Sequence, residues 1–93
     1  MTSERAKAYR RVMKAMADLG PGKLHPSEQN TIRAAADALL FAQDERATGV
    51  AMAPVLDLAQ HLVESERLLR DTADQILRDL MACGPQTSFA AAA

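Results

Sequence analysis

The segment SEQNTIRAAADALLFAQDERATG, residues 27–49, decides the fold of this chain. At 100° per residue its apolar positions cover more than half of a helix circumference, as in a central helix that contacts two or more neighbours. We therefore predict one long helix over residues 26–47 and an all-α fold. The predicted core face holds Ile32, Ala35, Ala36, Leu39 and Ala42, and Ala34, Ala38 and Phe41 extend the apolar surface.

Amphipathic patterns predict three further helices, near residues 3–19, 53–64 and 70–83. Gly20-Pro21 and Gly84-Pro85 are stop signals, because glycine accepts the left-handed conformation and proline cannot continue a helix. Pro54 suits the first turn of a helix, which places the start of the third helix near residue 53. The chain has no Gly or Pro over residues 64–71, so the third and fourth helices could instead be continuous; we favour a break at residues 65–70.

These helices predict a small four-helix bundle made of two helical hairpins. A faint repeat supports the pairing: Leu24 and Ile32 match Leu68 and Ile76 at an offset of 44. We expect a single helical domain over residues 1–85 and a disordered or frayed tail over residues 86–93. The predicted core is Val12, Met13, Met16, Leu19, Ile32, Ala36, Leu39, Leu58, Leu62, Ile76 and Leu80.

The composition favours a cytoplasmic protein. The one cysteine, Cys83, cannot form an internal disulfide, which favours a reducing compartment. No apolar run approaches the roughly 20 residues of a membrane span, and no apolar segment follows the basic start of the chain. We therefore expect neither a membrane partner nor a signal peptide.

No motif in the sequence carries catalytic, cofactor or metal chemistry, so we expect a protein that is not an enzyme. His25 and His61 are isolated, and Cys83 has no cysteine partner at metal-binding spacing. A helix-turn-helix around Gly49 is disfavoured, because Pro54 would fall inside the recognition helix and that helix would lack Arg and Lys.

The charge is unevenly distributed along the chain. Residues 1–33 hold seven Lys and Arg against three Asp and Glu, whereas residues 34–93 hold four against nine. Four of the cations project from one side of the first helix, and we call them the basic ridge: Lys7, Arg10, Arg11 and Lys14. Such a ridge could bind the phosphates of a nucleic acid or an acidic protein surface, or it could be ordinary solvated surface.

Spare apolar residues point to contact with another protein. Leu40 interrupts the polar strip of the long helix, and Val50 and Met52 lie in a predicted connector, so these three are the candidate interface residues. They could equally complete the core of a monomer. We predict a non-enzymatic protein-interaction module, such as an adaptor, inhibitor or regulatory subunit, whose partner is another protein or a second copy. The alternative is a nucleic-acid-associated regulator that binds through the basic ridge.

Overall fold

The part of the chain that this computed structural model describes, residues 3–85, folds into an all-α bundle of four helices. The predicted tail, residues 86–93, lies outside it. The most extensive contacts join α1 to α4 and α2 to α3, so the α1–α2 hairpin packs against the α3–α4 hairpin. The helices are α1 Ser3–Lys23, α2 Pro26–Phe41, α3 Glu45–Glu64 and α4 Arg70–Cys83.

The long helix predicted over residues 26–47 is wrong, because the chain leaves the helical conformation after Phe41. Ala42 is extended, and the Asp44 side chain then caps α3 by accepting a hydrogen bond of 2.8 Å from the backbone N–H of Ala47. The predicted core face is nevertheless confirmed over the length of α2. The buried residues of this face are Ile32, Ala35, Ala36, Leu39 and Ala42.

The third helix begins eight residues earlier than the predicted start at residue 53. Gly49 and Pro54 both lie inside α3. Proline has no N–H, so only the carbonyl of Val50 loses its intrahelical partner. Both Val50 and Pro54 are exposed, so water can solvate that carbonyl at little cost.

The first helix bends where the sequence predicts its end. Gly20 has φ +73°, a backbone conformation that side chains disfavour, and one further helical turn follows it up to Lys23. Leu24 then turns inward and is fully buried. The next helix starts with His25 at the cap and Pro26 as its first residue, in agreement with the predicted start at residue 26.

The predicted break between the third and fourth helices is confirmed, since α3 ends at Glu64 and α4 begins at Arg70. A Schellman motif closes α3: the N–H of Glu66 bonds to the Val63 carbonyl, and the N–H of Arg67 bonds to the Leu62 carbonyl. Glu66 occupies the left-handed position at φ +62°, where glycine is the usual residue. Leu69 holds the cap position of α4, and Asp71 lies in its first turn.

Most residues of the predicted core are buried in the structure, which confirms that prediction. Eight of its eleven members are buried, and Met13, Leu19 and Leu58 pack against them from partly buried positions. Further buried side chains come from every helix and from the turn before α4, as expected for one continuous core. These additional residues include Ala8, Leu24, Met52, Val55, Leu68, Ala73 and Cys83.

Candidate protein-interaction surface

An apolar groove runs along the exposed seam between α2 and α3. Its walls are formed by Ala34, Ala38 and Phe41 from α2 and by Ala47, Val50 and Ala51 from α3; we call it the α2/α3 groove. Four of these six residues are alanines, so the two helices leave a shallow depression between them. Small side chains on adjacent helices allow the backbone of a third element to approach closely.

Two large apolar side chains stand at this groove and make few contacts with the rest of the protein. The exposed fraction is 83% for Phe41 and 72% for Val50. Phe41 was predicted to extend the apolar surface of a central helix, and it lies at the open end of that helix instead. Exposed apolar side chains that share one surface with an apolar depression are typical of protein contact sites.

The three candidate interface residues lie in different environments. Val50 is exposed in the groove, as described above. Leu40 is partly buried and packs against the core, whereas Met52 is only 4% exposed and belongs to the core itself. Met52 is therefore not accessible to a partner, and of these three residues Val50 alone has a largely exposed side chain.

The four residues of the basic ridge lie together on α1 and line one shallow depression. Carboxylates offset most of this charge. The Lys14 Nζ lies 3.0 Å from an Asp18 oxygen, and Lys7 lies 3.7 Å from Glu4. Arg11 donates a 3.0 Å hydrogen bond to Asp79, a buried residue on α4.

Among the residues described, Arg10 is the one ridge cation that makes no ion pair. Arg11 is also committed to the α1–α4 contact and is not free to bind a phosphate with its full charge. The ridge therefore presents a weaker positive field than its sequence suggests.

Arg5 joins α1 to the ends of two other helices through four hydrogen bonds, and the sequence interpretation missed it. Its guanidinium donates to the backbone carbonyls of Leu39, Leu40 and Ala42 at 2.6, 2.9 and 3.2 Å, and to the carbonyl of Cys83 at 2.7 Å. It thus caps the carboxyl ends of α2 and α4 together. A cation at that position also interacts favourably with both helix dipoles. We call this arrangement the Arg5 clamp.

A second polar cluster joins the turn after α3 to the start of α2. Arg67 forms two hydrogen bonds to the Glu28 carboxylate and lies 3.1 Å from Nε2 of His25. Glu28 also accepts a hydrogen bond of 2.8 Å from the backbone N–H of His25 at the cap of α2. The Arg67 hydrogen bonds are the largest cause of a lowered pKa at Glu28, and they outweigh the opposing effect of burial.

Two other groups have raised pKa values, one mainly because of burial and the other mainly because of a hydrogen bond. Burial raises the pKa of the Cys83 thiol to about 11, with a smaller contribution from the charge of Asp79. Cys83 is therefore a core residue and a poor nucleophile. The Tyr9 hydroxyl donates a 2.7 Å hydrogen bond to Asp37, and this bond is the main cause of its raised pKa.

Within residues 3–85, no three His, Cys, Asp or Glu side chains are grouped so as to hold a metal ion. None of the helices described in this range has both the length and the apolar character needed to cross a bilayer.

Comparison with known proteins gives no match: no family model fits the chain, and no curated protein or solved structure is significantly similar. The α2/α3 groove, the basic ridge and the two polar clusters are therefore the features from which a function can be inferred.

Proposed function

We propose that this protein is a non-enzymatic protein-interaction module that binds its partner through the α2/α3 groove. The observation that carries the proposal is the exposure of Phe41 and Val50 beside an alanine-lined depression. Removing two such side chains from water on binding would contribute roughly 1.5–3 kcal/mol each before the costs of association. Adaptors, inhibitors and regulatory subunits all act through surfaces of this type.

The charges around the groove favour the same function. The cores of protein interfaces are depleted in charged residues, and α2 has three charged residues among 16 and α3 four among 20. Asp44 and Arg46 line one end of the groove, and Asp57 lies about one turn beyond the other end, so the charges stand at the rim. A dry centre with a polar rim is the usual anatomy of a specific interface.

Photocrosslinking in the cell that naturally makes this protein tests this proposal. A benzophenone amino acid replaces Phe41 in one variant and Val50 in a second. As a matched control, it replaces Ala17, which is exposed on α1. We expect discrete adducts from the first two positions and none from the third. A further change, Val50→Asp, should abolish the adduct formed from position 41.

Equal adducts from all three positions would overturn the proposal, as would the absence of adducts from positions 41 and 50. The mass of the adduct distinguishes the two kinds of partner. An adduct of twice the 10.0 kDa chain is a second copy, and any other discrete mass is a different protein.

The alternative function, phosphate binding by the basic ridge, has one supporting observation, namely that its four cations do share a surface. Their carboxylate partners weaken it. A mobility shift with duplex DNA at low salt tests it, using a variant in which Lys7, Arg10 and Lys14 become Gln. Arg11 stays unchanged because its bond to Asp79 holds α1 against α4. A shift that this variant loses would favour the alternative over the groove.

A further inference from the structure

The exposed side of α3 carries a stripe with a symmetrical arrangement. Arg46, Val50, Ala53 and Asp57 are all exposed, and their spacing of four, three and four residues places them along one side of the helix. The stripe begins with a cation, ends with an anion and is apolar between them. It spans about 16 Å at 1.5 Å per residue. We call it the α3 stripe.

The α3 stripe is complementary to a copy of itself. Because its spacing reads the same in both directions, an antiparallel copy places Arg46 opposite Asp57 and Val50 opposite Ala53. The two-fold axis relating the copies repeats each pair, so two salt bridges would flank a small apolar centre. A parallel copy would place like charges opposite each other, which is unfavourable.

We propose that a second copy of this chain is the partner that binds the α2/α3 groove, packed antiparallel along the α3 stripe about a two-fold axis. This inference rests on the proposed function and specifies its partner. In the described residues neither Arg46 nor Asp57 makes an ion pair, so both are available for pairs between copies. The net charge of −1 leaves little overall repulsion between two chains.

The size of the surface suits a dimer of modest stability. Helices of 16 and 20 residues are about 24 and 30 Å long, and side by side they span about 20 Å. The projected face is therefore roughly 500–600 Å², of the same order as the ~800 Å² of accessible surface that each partner buries in a standard interface. Val50 would lie near the centre, and Phe41 would lie at the side and cover the alanine depression.

Sedimentation equilibrium with charge-reversal variants tests this inference. Wild-type protein is measured from about 1 µM to about 1 mM. This range brackets the dissociation constants expected for a dimer of modest stability. We expect a monomer–dimer equilibrium. Arg46→Asp and Asp57→Arg should each weaken it at least about tenfold, because each change places like charges opposite each other twice in the dimer.

Mixing the two variants tests directly whether position 46 of one copy lies opposite position 57 of the other. In an Arg46→Asp chain both ends of the stripe are acidic, and in an Asp57→Arg chain both ends are basic. An equimolar mixture should therefore form a heterodimer about as stable as the wild-type dimer, although each variant alone pairs with itself at least about tenfold more weakly. Arg10→Asp, an equal change of charge on α1, should leave the equilibrium within about twofold of wild type, and circular dichroism checks that each variant is folded.

A wild-type chain that stays monomeric over the whole range would overturn the inference, and so would a dimer that survives Val50→Asp or a mixture that does not associate. The proposed function would fail separately. If the chain is monomeric but the crosslinker at position 41 traps a protein of another mass, and Val50→Asp abolishes that adduct, the groove is an interface and the second copy is not its partner.

Discussion

The two sides of the bundle have very different charge contents. α1 and α4 carry eight charged residues among 21 and five among 14, whereas α2 and α3 carry seven among 36. On the first side the charged groups bridge helices, as in the Arg11–Asp79 pair. On the second side large apolar groups such as Phe41 and Val50 face water without a partner.

Charged residues are therefore concentrated on α1 and α4, while the seam between α2 and α3 keeps apolar area available for binding. Polar groups connect the helices at the ends of α2, through Glu28 at its start and the Arg5 clamp at its end. If that view is correct, changes to the polar connections will lower stability, and changes to the exposed apolar groups will not. Arg5→Ala, Glu28→Gln and Val50→Ser test this view, and Glu66→Gly measures a backbone effect that involves neither kind of group. The expected effects run from the largest to none.

Arg5→Ala should cause the largest loss. It removes hydrogen bonds to the terminal carbonyls of two helices, and bonds to a charged partner contribute about 1.5–3 kcal/mol each, although not additively. We expect unfolding in urea to show a loss of about 3 kcal/mol from a total of roughly 5–15. Arg5→Lys should recover less than half, because an ammonium group lacks the planar fork.

The matched control is Arg10→Ala on the exposed side of the same helix, which should change stability by no more than about 0.5 kcal/mol. A loss below about 1 kcal/mol for Arg5→Ala would contradict the role of the Arg5 clamp in ending α2.

Glu28→Gln should have the next largest effect, about 2 kcal/mol at pH 7, because it removes the charge that Arg67 binds. The pKa of Glu28 is lowered in the folded state, so its contribution is complete above the ordinary pKa of 4.5. The contribution is lost as the pH falls from there through the lowered pKa.

Thermal melts of wild type and Glu28→Gln between pH 7 and pH 2 measure this dependence. The two melting temperatures should converge below pH 4.5. A difference that stayed constant down to pH 2 would mean that the ionised Glu28 is not the stabilising group.

Glu66→Gly should raise stability by about 0.5–1 kcal/mol, because Glu66 holds a left-handed conformation that glycine adopts without steric cost. The same change two residues earlier, Glu64→Gly, should lower stability by a similar amount, since that position is helical. Urea midpoints of the two variants, with opposite signs relative to wild type, are the measurement. Equal signs would show that backbone conformation is not what decides the effect.

Val50→Ser should leave the free energy of unfolding of the monomer within about 0.5 kcal/mol of wild type, because the side chain is exposed and the two residues have similar helix propensity. Val55→Ser, the same change on the buried side of α3, should cost about 2 kcal/mol or more. Calorimetry at a concentration low enough to keep the chain monomeric compares the stabilities of the two variants. A large loss for Val50→Ser would mean that this residue supports the fold.

The parts of the fold that depend on local signals could be predicted from the sequence. Helices α1 and α4 follow from their apolar periodicity, and most of the core follows from the spacing of Leu, Ile, Val and Met. The buried face of α2 was also correct, because helical periodicity assigns a face even where the end of the helix is misplaced.

The end of α2 could not be predicted in the same way. Nothing in ALLFAQDER breaks a helix by itself, and its end coincides with carbonyls that a guanidinium 34 residues away holds. One local signal was present, since Asp44 followed by Glu45 suits the start of a helix. The alanine-rich pattern across residues 34–47 outweighed that signal.

The candidate surface was predicted only in part. Val50 was identified as a spare apolar residue, but the sequence placed it in a connector and grouped it with the buried Met52. The exposure of Phe41 depends on the position of the α2 end, so it could not be found without the correct break. The neutralisation of Arg11 depends on Asp79, 68 residues away, and thus on knowing that α1 and α4 are neighbours.

The Arg5 clamp also has a consequence for the order in which the protein can fold during its synthesis. Arg5 and Cys83 are 78 positions apart, so the ribosome must complete α4 before the clamp can close. Until then, the apolar stripe of α1 lacks the helix that covers most of it. A nascent chain that lacks α4 therefore exposes much of this stripe to chaperones or to other nascent chains, and the packing of α4 against α1 ends that exposure.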